Sequence, residues 1–221
     1  MKKVRIGLIR VVSYEDASIA GQHGRLIERL YPEFEVFTRC IPDQPTGIYD
    51  DASEALAVPK IVALGERMCR EDGIRALLVS CAADPGVAEL RGRVKPPVIG
   101  AGSSAACLAL AYSGRVGTLG ITEGTPAVMR ALLGPALAAE ARPRGVTNTL
   151  ELNSPAGREA AFEALEGLAA AGAAVIALAC TGFASLGVAA EMESRIGRPV
   201  IDPVVAAGWF ARYYLGQREA A

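Results

Sequence analysis

Ala76-Leu77-Leu78-Val79-Ser80-Cys81-Ala82 is an apolar run ending in a small polar residue and a cysteine, and it returns near the other end of the chain as Val175-Ile176-Ala177-Leu178-Ala179-Cys180-Thr181. A short, wholly apolar stretch of this kind reads as a strand buried on both faces, the mark of a parallel sheet. Each copy is followed later by the same tripeptide, Pro97-Val98-Ile99 and Pro199-Val200-Ile201. The chain therefore reads as two copies of one unit, each carrying a cysteine at the end of an equivalent strand.

Outward from these two runs, strand-like and helix-like segments alternate, which argues for βαβ units. Strands are expected at residues 4–11, 35–39, 76–80, 97–100, 116–121, 174–179 and 199–201. Helices are expected at 17–30, 51–71, 103–112, 155–171, 183–196 and from 203 to about 217. Two shorter helices open at Asp84-Pro85, with Asp as N-cap and Pro in the first turn, and at Thr125-Pro126. Residues 41–47 form a turn-rich loop, and 142–155, polar and proline-bearing, reads as the least ordered stretch. The expected fold is α/β with two pseudo-symmetric domains, each a parallel sheet of about four strands flanked by helices, and the active site in the cleft between them. Residues 1–100 with 203–221 would form the first domain, and 101–202 the second.

Bulk properties narrow the partner. The 221 residues carry a formal net charge of −1, so no basic field points to nucleic acid or an anionic membrane. Apolar residues make up 51% of the chain, yet no uninterrupted stretch reaches the roughly 18 residues of a membrane span. Arg5 and Arg10 break the N-terminal apolar run and no small-residue cleavage site follows, so a cytoplasmic location is expected rather than secretion. Cys40, Cys69, Cys81, Cys107 and Cys180 form neither an even disulfide set nor a Cys-x-x-Cys pair, which suits a reducing compartment. With His23 as the sole histidine, no metal site is expected. The expected partner is a small molecule.

In open parallel sheets ligands bind beyond the carboxyl ends of the strands. Cys81, Cys180, Arg10, Thr122 and Asp202 all fall at such ends. If the two halves face each other across a pseudo-two-fold axis, the two thiols approach one carbon from opposite sides. One base then removes a proton and an acid on the other face returns one, which inverts a stereocentre with no cofactor. A free thiol titrates near pKa 8.5, so the site must favour one thiolate. Main-chain N–H groups at the helix starts after Asp84-Pro85-Gly86 and Thr181-Gly182 are placed to do that, or to hold a carboxylate or enolate oxygen. Cys40, Cys69 and Cys107 are expected in the core. Arg10 suits either a bidentate grip on a carboxylate or an ion pair, and Arg39 and Gln44 invite the same reading with less support. His23, inside an expected helix and far from any strand end, is expected at the helix surface or in packing. Asp50-Asp51 reads as helix capping; Glu191, Glu193 and Arg195 read as a solvated helix face.

Ser80-Cys81-Ala82-Ala83-Asp84-Pro85-Gly86, Pro97-Val98-Ile99-Gly100, Ala179-Cys180-Thr181-Gly182 and Pro199-Val200-Ile201-Asp202-Pro203-Val204 together resemble the aspartate/glutamate/hydantoin racemase superfamily, nearest its hydantoin racemase branch, over essentially the whole chain. The resemblance implies a two-domain pseudo-symmetric α/β fold, a cofactor-independent two-thiol mechanism and assembly into homo-oligomers. It implies Cys81 and Cys180 as the acid/base pair, with substrate contacts around Ala82, Ala83, Thr122, Thr181 and Gly182; Arg10 and Ser80 are further candidates for such contacts. Two places depart from the family pattern. Arg10-Val11-Val12-Ser13 stands where hydantoin racemases usually carry Asn-Pro-Asn-Thr, and Thr181-Gly182 stands where amino-acid racemases often carry Thr-His. The substrate is thus open among hydantoins, allantoin, aspartate, glutamate and other diacids.

Other readings remain beside this one. Decarboxylases of the superfamily need one cysteine, and cis/trans isomerases of small dicarboxylic acids can keep both. Gly100-Ala101-Gly102-Ser103-Ser104-Ala105, with Glu123 further on, formally meets the dinucleotide-binding fingerprint of an oxidoreductase. A non-catalytic two-lobed binding module would use the cysteines as packing alone. No Gly-x-Ser-x-Gly elbow supports a serine hydrolase.

Overall fold

The computed structural model describes residues 3–219. Residues 1–2 and 220–221, the outer ends of the expected first domain, lie outside them. The first half runs β1 (Val4–Arg10), α1 (Ala17–Ala20), α2 (Gln22–Leu30), β2 (Phe34–Cys40), α3 (Asp51–Glu71), β3 (Ala76–Ser80), α4 (Val87–Arg91) and β4 (Val98–Gly100). It continues through α5 (Ala101–Tyr112), β5 (Val116–Leu119), α6 (Ala127–Leu133), β6 (Leu137–Ala141), α7 (Thr149–Leu152), α8 (Pro155–Ala170), β7 (Val175–Leu178), α9 (Gly182–Leu186), α10 (Ala189–Ile196), β8 (Val200–Ile201) and α11 (Pro203–Glu219).

The strands form two four-stranded sheets of like order, β2-β1-β3-β4 and β6-β5-β7-β8, with every pairing parallel. Every residue of β3, β5 and β7 is buried, as expected of central strands covered by helices on both faces. The β1–β3 register sets Arg10 opposite Ser80, so both sit at one carboxyl edge, one step before Cys81. In the second sheet Leu119 lies opposite Leu178, two residues before Cys180. Helix α5 lies between the sheets, against β3 and β4 on one side and β7 and β8 on the other. Helix α11 returns to the first sheet, packing on α2, β3 and β4.

Local chemistry explains the helix ends. Asp50 accepts the Ser53 N–H and Ser53 reciprocates toward the Asp50 N–H, a capping box that starts the long α3. Ser154 takes the Gly157 N–H, with Pro155 in the first turn of α8.

Several expectations are corrected. The single helix expected over 17–30 is two helices that part at Gly21, where the buried Arg10 guanidinium donates to the carbonyls of Ile19 and Ala20, groups a continuous helix would use for its own next turn. The helix expected over 183–196 breaks at Gly187, whose φ of 65° gives a left-handed C-cap. Strand β6 was not anticipated: its alanine-rich sequence reads as helix, and it becomes a strand by pairing along β5 as a sheet edge. The stretch expected to be least ordered contains α7, capped by Asn148. Cys107 is exposed and Cys40 and Cys69 are half-buried, so none of the three is fully buried core.

Asp84 does not cap the helix that follows it. With φ at 54° it turns back, and its carboxylate accepts the N–H groups of Gly102 (2.7 Å) and Ser103 (2.9 Å) at the start of α5. This stitch draws the Cys81 turn so close to α5 that a Cβ at Gly102 would lie 1.9 Å from the Ala82 carbonyl oxygen. Gly102→Ala is therefore expected to destabilise the fold by about 1–3 kcal/mol through overpacking against main chain, read as a lowered urea midpoint at unchanged slope. A midpoint equal to that of wild type would show that the turn and helix are not tightly apposed.

Candidate active site

Between the carboxyl edges of the two sheets lies a cavity of about 730 Å3. Nine of the residues expected at the site line it: Cys81, Ser80, Ala82, Ala83 and Arg10 from the first half, and Cys180, Thr122, Thr181 and Gly182 from the second. Tyr14, Tyr49, Asp50, Asp51, Glu54, Glu123, Arg142, Thr147 and Thr149 line it too. Most of these sit on loops or helix starts, where apolar periodicity offers no signal. Arg39 and Gln44 are placed elsewhere. Arg39 makes an ion pair with Asp72, and Gln44 is buried, donating to the carbonyls of Gly47 and Ser53.

The two cysteines are built alike. Each follows its strand into a tight turn, keeps 9% of its surface open, and has a main-chain N–H two residues on: Gly182 donates to the Cys180 sulfur at 3.3 Å, and the Ala83 N–H favours the Cys81 thiolate. The Thr149 hydroxyl also favours the Cys180 thiolate. Residue 182 has little room for a side chain, since a Cβ there would lie 2.8 Å from Thr149 Cγ2 and 3.2 Å from the sulfur.

Burial outweighs these hydrogen bonds, so both thiols are pushed up rather than down, and Cys180 reaches about 11. Cys81 is pushed higher still, by desolvation first and then by the negative neighbours Cys180, Asp84 and Glu54. Cys180 gains from Gly182, from Thr149 and from the positive Arg10. The pair is thus unequal. Cys180 is the readier thiolate and Cys81 the thiol that keeps its proton. Their electrostatic coupling also means that ionising one disfavours ionising the other.

Arg10 reaches the cavity wall with its guanidinium already engaged. Beyond the two carbonyls of α1, it donates to the Tyr14 hydroxyl and stacks on that ring at 5.1 Å. It forms a main-chain clamp rather than the ion pair allowed for in the sequence.

His23 takes the packed alternative of its expectation, 1% exposed, but it is not far from a strand end: Nδ1 lies 2.8 Å from the Oγ of Ser80, the last residue of β3, and Nε2 lies 2.9 Å from Ser185 Oγ. Asp202, at the end of β8, caps α11 through the N–H groups of Val204 and Val205, and burial raises its carboxyl to about 6.

The dinucleotide fingerprint is also corrected. The Asp84 carboxylate occupies the N–H groups at the α5 start where a phosphate would bind, and Gly100 and Gly102 are small because Asp84 and the Ala82 carbonyl pack on them. Among the described residues, no three His, Cys, Asp or Glu side chains are grouped to hold a metal ion.

Comparison with known proteins fits this geometry. The family model described as Asp/Glu/Hydantoin racemase matches residues 23–211. A hydantoin racemase of Rhizobium meliloti is 30% identical over 190 residues, covering 79% of this chain and 73% of that protein. The structure of allantoin racemase from Klebsiella pneumoniae shares the fold with a TM-score of 0.84 at 24% identity, over 97% of this chain and 89% of that one. Maleate isomerase Iso from Pseudomonas putida S16 shares it at 0.68 and 15% identity, over 97% and 94%.

The inequality of the thiols is testable by iodoacetamide labelling read peptide by peptide. Cys180 is expected to label faster than Cys81, with a rate rising about tenfold per pH unit between about pH 7 and pH 9, as for a thiol well below its pKa. Faster labelling of Cys81, or a plateau near neutrality, would contradict the electrostatics described here.

Proposed function

The chain belongs to the Asp/Glu/hydantoin racemase family, and from that premise we propose that it inverts the stereocentre of a small carbon acid, of the 5-substituted hydantoin type, by cofactor-independent two-thiol acid/base chemistry. The observation that carries this reading is the convergence of Cys81 and Cys180, from equivalent strand ends of two like-ordered sheets, on one cavity.

In this reading the substrate's acidic C–H lies between the sulfurs. Cys180, whose thiolate form is favoured over that of Cys81 by the Gly182 N–H and the Thr149 hydroxyl, removes the proton, and the Cys81 thiol delivers one to the opposite face. The roles reverse for the other enantiomer, with the Ala83 N–H then supporting the Cys81 thiolate. Water exclusion matters, because a thiolate with a raised pKa is a stronger base toward carbon than one near 8.5.

The wall favours a neutral substrate over a dicarboxylate. Asp50, Asp51, Glu54 and Glu123 line the cavity, and burial with the neighbouring Asp51 already raises the Glu54 carboxyl. Against them stand Arg142 and Arg10, whose Nη1 serves the carbonyls of Ile19 and Ala20 and whose Nη2 serves the Tyr14 hydroxyl. A hydantoin ring offers amide donors and acceptors without charge, and so avoids this repulsion. All five cysteines are free thiols, in keeping with work in a reducing compartment. Assembly into homo-oligomers belongs to the same proposal.

The test is α-deuterium exchange and loss of optical activity in D2O, with 5-substituted hydantoins, allantoin, aspartate and glutamate. Wild type is expected to racemise a hydantoin in preference to the acids. Cys81→Ala and Cys180→Ala are each expected to lose racemisation by about 10²–10⁴-fold while each still exchanges one enantiomer. Undiminished racemisation in both variants would remove the thiols from the mechanism, and preferred turnover of a dicarboxylate would overturn the substrate class.

A further inference from the structure

We propose that His23 is a positioning residue for the thiol pair: its ring, hydrogen-bonded to Ser80 on one side and Ser185 on the other, sets the spacing of Cys81 and Cys180 across the cleft. The inference rests on the two-thiol reading and adds to it a residue that touches neither substrate nor sulfur.

The geometry is direct. Ser80 is the last residue of β3 and immediately precedes Cys81. Ser185 belongs to α9, whose first residue, Gly182, donates its N–H to the Cys180 sulfur. One imidazole therefore links the strand end that carries one thiol to the helix that caps the other, at 2.8 and 2.9 Å. A second bond crosses at the same point, from the Thr181 hydroxyl to the Ser80 carbonyl at 3.2 Å.

The strut is held from behind. Gly24 brings α2 so close to β2 that a Cβ there would lie 2.3 Å from Thr38 Oγ1, and Arg10 pins the carbonyls of Ile19 and Ala20 just before α2 begins. Burial and the nearby Arg10 keep the imidazole neutral. In either tautomer one ring nitrogen then donates and the other accepts, so both serine hydroxyls are engaged by a rigid five-membered ring. Spacing at this precision matters to catalysis, since misplacing reacting groups by about 1 Å costs on the order of 10²-fold in rate.

The experiment compares His23→Leu, His23→Gln and Ser185→Ala with wild type by two readouts: peptide-resolved iodoacetamide labelling of Cys81 and Cys180, with exposed Cys107 as internal reference, and the ratio of inversion to α-deuterium exchange on a 5-substituted hydantoin. In His23→Leu, inversion is expected to fall about 10²-fold while exchange on one face persists, and the labelling of Cys81 and Cys180 relative to Cys107 is expected to change. His23→Gln, whose amide offers one donor and one acceptor, is expected to recover most of both. Ser185→Ala removes one bond alone and carries the test if His23→Leu does not fold. Wild-type labelling and a wild-type ratio of inversion to exchange in His23→Leu and Ser185→Ala, or no recovery by Gln, would overturn the proposal. If wild type exchanges no α-proton of any hydantoin, the racemase reading falls, and the labelling ratios alone support or overturn the strut.

Discussion

In a parallel sheet every strand ends on the same edge, so whatever follows the strands is gathered on one side. Here two sheets of identical strand order turn those edges toward one cavity, and a cysteine stands one residue past β3 and two residues past β7. The placement of the thiols is thus a consequence of topology rather than of loop conformation. The buried central strands bring the sulfurs to the edge, and helix α5, shared between the sheets, ties one edge to the other.

What topology assembles, burial then tunes. A sulfur with 9% of its surface open holds its proton more tightly than one in water, and the main-chain N–H groups offset that cost in part. The difference between the two thiols comes from their surroundings. Cys81 has Asp84 and Glu54 near it, while Cys180 has Thr149 and Arg10. Asp84 thus plays two parts, as the stitch between the Cys81 turn and α5 and as a contributor to that thiol's reluctance to ionise.

The repeat was legible because buried parallel strands leave contiguous apolar runs, and because both runs end in cysteine at equivalent points. The site's floor was legible for the same reason. Its walls and struts were not. His23 has its partners 57 and 162 residues away, and its helical neighbours say nothing of either. Asp84 followed by proline has the local signature of an N-cap, yet its carboxylate serves a helix that starts 17 positions later, because the left-handed turn at residue 84 points it there. Leu137-Ala138-Ala139-Glu140-Ala141 carries helix-forming residues and takes its strand form from a neighbour. In α5, apolar residues occur nearly all round, so no stripe distinguished the exposed Cys107 from the buried alanines beside it.

That each sulfur leans on the peptide backbone of its own turn has an evolutionary corollary. A hydrogen bond from main chain survives exchange of the side chain around it, so the proton-handling apparatus is insulated from changes elsewhere in the lining. Loop residues such as Tyr49 and Arg142 line the pocket, so a change there would reshape what it admits while leaving the main-chain support of the sulfurs in place. A scaffold divided in this way can acquire new substrates by drift in its periphery, one loop at a time.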